Sequence, residues 1–147
     1  MADTTRLRGN QVLNGSFGTL WIDNVQIAEV KDIEAKVTAD REDVLLGLSK
    51  DSKMVSLSGS GSLTLYKVYS RANDILTSLA KGTDKRVRLV YKIEDPDAVG
   101  GQIERVSIDN VWFNEIDVAK FARGSVVEDS YSFGFTPEDV EFEDKIS

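Results

Sequence analysis

Few residues in this sequence have the types and spacing that chemistry needs. Gly59-Ser60-Gly61 holds two glycines of a dinucleotide-binding turn, but it lacks the third and the strand-turn-helix setting that would cradle a pyrophosphate. Asp95-Pro96-Asp97 followed by Gly100 opens like a calcium loop. Its fifth position is Val99 and its twelfth is Val106, where a bidentate Glu is required, so an ordinary turn is the better reading. Ser49 and Lys50 are adjacent, and adjacent side chains on an extended chain point apart, which gives no nucleophile–base pair. Glu128 and Asp129 fall on opposite faces of a strand for the same reason and cannot act as a facing acid–base pair. Trp21 and Trp112 read as core or interface anchors, since no basic groove accompanies them as it would in a base-stacking surface. No catalytic, metal or cofactor site is expected, and the chain does not read as an enzyme.

Composition narrows the choice further. The 147 residues include no His and no Cys. That removes the commonest general base, the Ser-His-Asp arrangement, thiolate chemistry, disulfides and most transition-metal sites. A net charge of -7 works against tight binding to a phosphate backbone. Apolar residues at 41% and charged residues at 29% suit a folded chain, and the length suits one domain with a real core. No apolar run approaches the roughly 18 residues that span a bilayer, and the N-terminus lacks a signal-peptide core. No membrane anchoring is expected, and folding in a reducing cytoplasm is.

The elements that must position these residues are mostly strands. From Val55 the chain alternates Val55, Leu57, Gly59, Gly61, Leu63 and Leu65 with Ser56, Ser58, Ser60, Ser62 and Thr64. This is a long strand with one apolar face and one face of small hydroxyls. Glycines in its apolar row mark a bend or a close backbone approach. The period then changes, and Ala72, Ile75, Leu76, Leu79 and Ala80 predict the chain's one helix over 70–81, with Ser70 as N-cap and Gly82 ending it. A sheet packed against one helix is the expected arrangement.

The remaining segments follow the same logic. Residues 1–16 read as a polar N-terminal arm, ordered by contact with a neighbour. Asp23-Asn24 between two apolar runs predicts a β-hairpin, whose second strand should be long and bulged near Val30 to Asp32. Residues 39–53 interrupt the pattern with a charge run and Val44, Leu45, Leu46 and Leu48. They read either as a short helix or strand tucked onto the core, or as an apolar loop tip meant for another subunit. Strands are expected at 86–93, 103–108 and 111–118, with Asp109-Asn110 as a hairpin or a bend. Glu94 to Gly101 is a loop. A last strand places Val127, Asp129, Tyr131, Phe133 and Phe135 opposite Val126, Glu128, Ser130, Ser132 and Thr136. The tail, 137–147, reads as an edge strand or docked segment. Open sheets of this kind have edges that invite other chains, and closing a barrel removes them, within one copy or among copies in a ring. In a shared barrel the hydroxyl face would line a wet channel.

The run from Gly59 through Tyr66 to Ser70 resembles the central strand-to-helix junction of tail tube proteins from contractile phage tails and phage-like bacteriocin particles, the XkdM-like family. The likeness begins at Gly18-Thr-Leu-Trp-Ile-Asp23, continues through Leu79-Ala-Lys-Gly82 and the stretch Ile103 to Asp109, and ends at Ser132-Phe-Gly-Phe-Thr136. The tail after Thr136 departs from it. The resemblance implies a mainly β subunit with one α-helix, a β-barrel or sandwich over 17–136 that contributes two long hairpins to a shared ring barrel. Six copies would form a ring, and rings would stack into a tube. Ser56, Ser58, Ser60, Ser62, Thr64, Glu128, Ser130 and Ser132 would be luminal, and Val44, Leu45, Leu46 and Leu48 would lie in a long inter-ring loop over 39–53. The implied partners are further copies of the chain, a sheath, baseplate and tail terminator proteins, and a tape measure protein in the lumen. DNA could pass without tight binding. Assembly would take place in the bacterial cytoplasm, and the finished object would be a virion or bacteriocin tail. The alternatives are a tube of a secretion system or non-contractile tail, and a monomeric ligand-binding β-barrel.

Overall fold

Residues 7–147 are described by a computed structural model. The chain orders as β1 (Gly18–Ile22), β2 (Val25–Gln26), β3 (Val30–Leu46), β4 (Ser49–Tyr66), α1 (Ala72–Ala80), β5 (Val87–Ile93), β6 (Glu104–Ile116), β7 (Glu128–Phe135) and β8 (Val140–Asp144). The strands run β2-β1-β5-β6-β7-β4-β3, with β8 on the free side of β6. All the pairings are antiparallel.

Strand β6 belongs to two sheets. Its first half, around Ile108, pairs with β5 and β8, while Trp112 to Ile116 pair with β7. The bend between them is Asp109-Asn110, where Asn110 takes φ 54°, a left-handed value that Asn tolerates well. The same dipeptide at Asp23-Asn24 makes a true hairpin, with both residues at positive φ as a tight two-residue turn requires. One dipeptide thus does two jobs, decided by which strands are free to pair.

The second strand of that first hairpin is short. Val25–Gln26 pairs with β1, the chain leaves the sheet, and β3 begins at Val30 on the other sheet with the expected bulge between Val30 and Asp32. The largest difference lies in residues 39–53. No long loop is present: β3 and β4 pair from Val30↔Leu65 to Leu46↔Ser49, and the turn is Gly47-Leu48. Gly47 has φ +68°, which the first position of such a turn favours. The charge run that broke the apolar alternation is accommodated by cross-strand contacts instead. Ser56 Oγ donates to Asp40 Oδ2 at 2.9 Å, and Lys50 lies 3.5 Å from Asp43. The segment is a strand, yet it projects from the core rather than tucking onto it.

The core is chiefly sheet on sheet. Leu20, Val87, Leu89, Ile108 and Val111 face Leu63, Leu65, Tyr131, Phe133 and Phe135, while α1 adds only Ala72 and Ile75 to the buried set. The helix starts after Arg71, and Ser70 makes no side-chain cap. Arg71 instead pairs with the buried Glu29 carboxylate and stacks on Tyr69. Gly82 ends the helix as expected, at φ +79°, with the Gly82 and Thr83 amides donating to Leu79 and Ser78 carbonyls. Residues 1–6 of the N-terminal arm lie outside the described residues. Nearer the core the arm is tied down by its own chain, for the Asn14 amide donates to buried Asp95 at 3.0 Å.

Gly59 and Gly61 meet close approaches, as their place in the apolar row suggests. Gly59 lies opposite Phe135 and Gly61 opposite Phe133. A Cβ on Gly59 would come within 2.5 Å of the Phe135 ring, and one on Gly61 would strike both the Phe133 ring and the Glu34 carbonyl. Backbone blocks both sites, the Phe135 carbonyl at the first and the Glu34 carbonyl at the second, so Gly61→Val should destabilise the subunit by about 1–3 kcal/mol or prevent folding, as overpacking does. A drop in the urea midpoint of the unassembled protein, read by tryptophan fluorescence, measures it.

Candidate functional site

The hydroxyl rows of β4 and β7 lie side by side. Ser62 is opposite Ser132, Thr64 opposite Ser130, and Tyr66 opposite Glu128. On its other side β4 faces β3, with Ser56 opposite Asp40, Ser58 opposite Thr38, Ser60 opposite Lys36 and Ser62 opposite Glu34. Antiparallel partners point to the same face, so all eight residues singled out in the sequence share one surface of the four-stranded sheet β6-β7-β4-β3. The other surface of that sheet carries Leu63, Leu65, Tyr131, Phe133 and Phe135 into the core.

The β3 contribution was not named from the sequence. Asp32, Glu34, Lys36, Thr38 and Asp40 alternate with Ile33, Ala35, Val37 and Ala39, a signal that was present but masked by the bulge at its start. Strand β6 adds Glu115, opposite Ser132, and Trp112, opposite Gly134. A Cβ on Gly134 would lie 2.6 Å from Trp112 Nε1, so the indole lies flat on the sheet, with the Arg86 guanidinium 4.7 Å from its ring. Trp112 is therefore part of this surface and not of the core. Trp21, on the other sheet, is likewise half-buried, with its ring 5.7 Å from Lys92 Nζ of the adjacent strand β5. Carboxylates outnumber cations across the polar surface, and Lys31 Nζ meets Glu128 at 2.8 Å at its edge.

Residues Val44, Leu45, Leu46 and Leu48 gather at the end of the β3–β4 hairpin, away from the hydroxyl rows' centre. Leu45 is 74% exposed and Leu48 fully so. Where the hairpin leaves the body, an open apolar cleft of about 450 Å³ lies between β3 and the second sheet, lined by Ile33, Val37, Val106, Phe135, Val140 and Phe142. Its polar lining is Glu34, Lys36 and the Tyr91–Glu104 pair, in which the Tyr91 hydroxyl donates to Glu104 at 2.6 Å. Asp95 is buried in an ordinary turn, accepting from the Asp97 and Asn14 amides, and no cluster that could hold a metal ion occurs among the described residues.

Two ion pairs brace the sheet where the hydroxyl rows end. Lys67 Nζ lies 2.8 Å from the buried Asp129 carboxylate, and Arg71 holds Glu29. Burial raises the Glu29 carboxyl, but the Arg71 hydrogen bond, a hydrogen bond from Glu29's own backbone and the guanidinium charge together outweigh it and leave the group below its ordinary value. Nearby, burial pushes the Tyr131 hydroxyl up to about 12, with the Asp129 charge adding to the effect. Tyr91, which donates to Glu104, is raised for the same principal reason.

The fold is a sandwich in which one sheet continues as a long hairpin beyond the core, polar on one face and, among the described residues, unpaired along the outer side of β3. The family model for phage tail tube proteins matches residues 5–144, and the chain belongs to that family; it is a tail tube protein. The phage-like element PBSX protein XkdM of Bacillus subtilis (strain 168) is 28% identical over 145 residues, covering 96% of this chain and 97% of that one. Among solved structures, a chain of the sheath–tube complex of an extracellular contractile injection system, PVC, matches with TM-score 0.72 at 8% identity, over 99% of this chain and all of that one. A chain of the anti-feeding prophage baseplate, six-fold symmetrised, matches with TM-score 0.60 at 9% identity, over 84% and 89% of the two chains. At these identities the likeness establishes the fold.

The tyrosine shifts predict an alkaline limit. An exposed phenol ionises near 10, so the unfolded chain releases protons that Tyr131 retains when folded. The stabilisation is complete below about pH 10 and declines as pH rises towards 12. Tyr131→Phe should remove about one proton from the pH dependence of the urea midpoint over that window, leaving the Tyr91 contribution.

Proposed function

We propose that this chain is the repeating, non-catalytic wall of the inner tube of a contractile tail or phage-tail-like bacteriocin, six copies to a ring and rings stacked around a channel. The observation that carries this is the four-stranded sheet. It ends in β3 on one side and in the second half of β6 on the other, neither of which has a further strand paired to it among the described residues. Exposed edges of that length are satisfied by neighbouring copies, and a heterologous contact that closes makes a ring. The hydroxyl and carboxylate face then lines the channel. A polar, acidic wall repels a passing polyanion, which suits a conduit through which DNA travels without tight binding.

On this reading Ser56, Ser58, Ser60, Ser62, Thr64, Glu128, Ser130 and Ser132 are luminal, together with Glu34, Lys36 and Thr38. Val44, Leu45, Leu46 and Leu48 reach the adjacent ring as the end of a hairpin. The outer surface would meet a sheath, and the ends of the tube a baseplate and a terminator. The six-fold baseplate chain and the sheath–tube chain that share this fold support those partners. A tape measure protein in the lumen and assembly in the bacterial cytoplasm belong to the same proposal.

Negative-stain imaging of the purified chain across a concentration series tests the whole reading. Rings or tubes about 100 Å or less across are expected, on the order of a few domain diameters; a monodisperse monomer at every concentration overturns it. Leu45→Asp and Leu46→Asp should leave the far-UV circular dichroism unchanged and raise the concentration needed for tubes by tenfold or more, about 1.4 kcal/mol per contact. Ser58→Lys and Ser60→Lys should preserve tubes but reverse the charge selectivity for dyes or short oligonucleotides entering the bore. Unchanged entry in both variants removes these residues from the lumen.

A further inference from the structure

The two sheets share β6 and are joined there. On the far side β3 and β8 each pair with one strand only, and a gap is left between them. That gap is the cleft of about 450 Å³. Ile33 and Val37 of β3 form one wall and Val140 and Phe142 of β8 the other, while the core residues Leu89 and Phe135 lie deepest. A single copy of the chain builds it, and its apolar walls face each other across open space.

One charge is turned into this apolar space. On β6, Glu104 shares a face with Val106 and Ile108, which also line the cleft. Its carboxylate accepts from the Tyr91 hydroxyl at 2.6 Å, and burial together with that contact keeps the phenol protonated. No ion pair among the described residues includes Glu104. The nearest cations in sequence and register are turned away. Arg105 and its cross-strand partner Lys92 lie on the outer face of their sheet. Lys36 lies on the polar face of β3, 3.7 Å from Glu34, so that pair adds no net charge to the cleft. A carboxylate offers about four acceptor positions, and the tyrosine fills one. In apolar surroundings it draws a cation more strongly than it does in water, because less solvent screens it.

We propose that this cleft binds a small amphiphilic cation, with the apolar body between β3 and β8 and the ammonium head on Glu104. Its volume falls in the range of small-ligand sites, about 300–1,000 Å³, and its lining has their character, mainly apolar with few placed polar groups. Glu104 repels an anion of the same shape, and a neutral analogue forgoes the charge-assisted hydrogen bond. The occupant touches both the base of the ribbon and the second sheet, so it also fixes the angle at which the ribbon leaves the body. The site lies within one copy and goes beyond the tube reading; neither depends on the other.

Equilibrium dialysis of the full chain against octylammonium, octanol and octanoate tests the assignment, since the three share a tail and differ only in the head. Saturable binding of one octylammonium per chain is expected, about tenfold tighter than octanol, with no saturable uptake of octanoate. Glu104→Gln keeps an acceptor for Tyr91 and should bring octylammonium to within about threefold of octanol. Ala35→Phe, on the exposed edge strand, fills the cleft and should weaken both about tenfold with the far-UV circular dichroism unchanged. Octanoate bound as tightly as octylammonium, or no saturable binding at all, overturns the site. So does octylammonium binding that Glu104→Gln leaves unchanged, or that survives Ala35→Phe in a folded chain. None of these results touches the tube reading, which the imaging of rings and tubes decides separately.

Discussion

The close packing of two phenylalanine rings on two glycines sets the register on which the rest of this structure depends. Phe135 over Gly59 and Phe133 over Gly61 admit one alignment of β7 with β4, because no side chain can intervene between ring and backbone. A slip of one residue would turn the whole strand over, carrying serines into the core and aromatic rings into water. The aromatic burial that resists this slip is large, since each ring contributes most of its surface to the sandwich interior. The polar surface is thus a by-product of core packing. Its hydroxyls line up because the rings behind them cannot move.

The sheet that this packing aligns is longer than the core that supports it. Strand β4 runs 18 residues, of which the eight from Gly59 to Tyr66 pair with β7. The rest is paired with β3 alone; next to the body it keeps an apolar face in Val37, Val55 and Leu57, and beyond Met54 charged and polar residues occupy both faces. A monomer gains little from building such a ribbon, whose apolar side remains wet. In the proposed tube the same side chains find cover on a neighbour. The open cleft at the ribbon's base, with Phe142 half exposed in its wall, has the same character.

At the other end the structure is stiffened by charge. Asp129 and Glu29 are buried carboxylates, each held by a cation from the β4–α1 segment, Lys67 and Arg71. Removing either cation would strand a buried charge, the costly half of such a pair. These bridges fasten the helix approach to the start of β7 and to the residue just before β3, so that the connection 117–127 emerges from a fixed base.

Much of this was legible in the chain itself. The alternation from Val55 to Leu65 and from Val127 to Phe135 determined two strands, their faces and the identity of the hydroxyl rows, because side-chain direction in a strand follows from backbone geometry alone. Gly82 marked the helix end, and the glycines in the apolar row announced a close approach, without saying what approached. Missing His and Cys excluded whole classes of chemistry before any coordinate was considered. Tertiary structure decided the rest. The charge run at 39–53 broke the local pattern and read as a loop, yet pairing with the partner strand carried it through as ribbon, an outcome that depends on residues a dozen positions away. Asp-Asn turned the chain at 23–24 and merely bent it at 109–110, since the turn depends on whether the flanking segments pair with each other or with different strands. The cleft at the ribbon's base belongs entirely to topology: periodicity reports which way a side chain faces, but only strand order and register report what it faces.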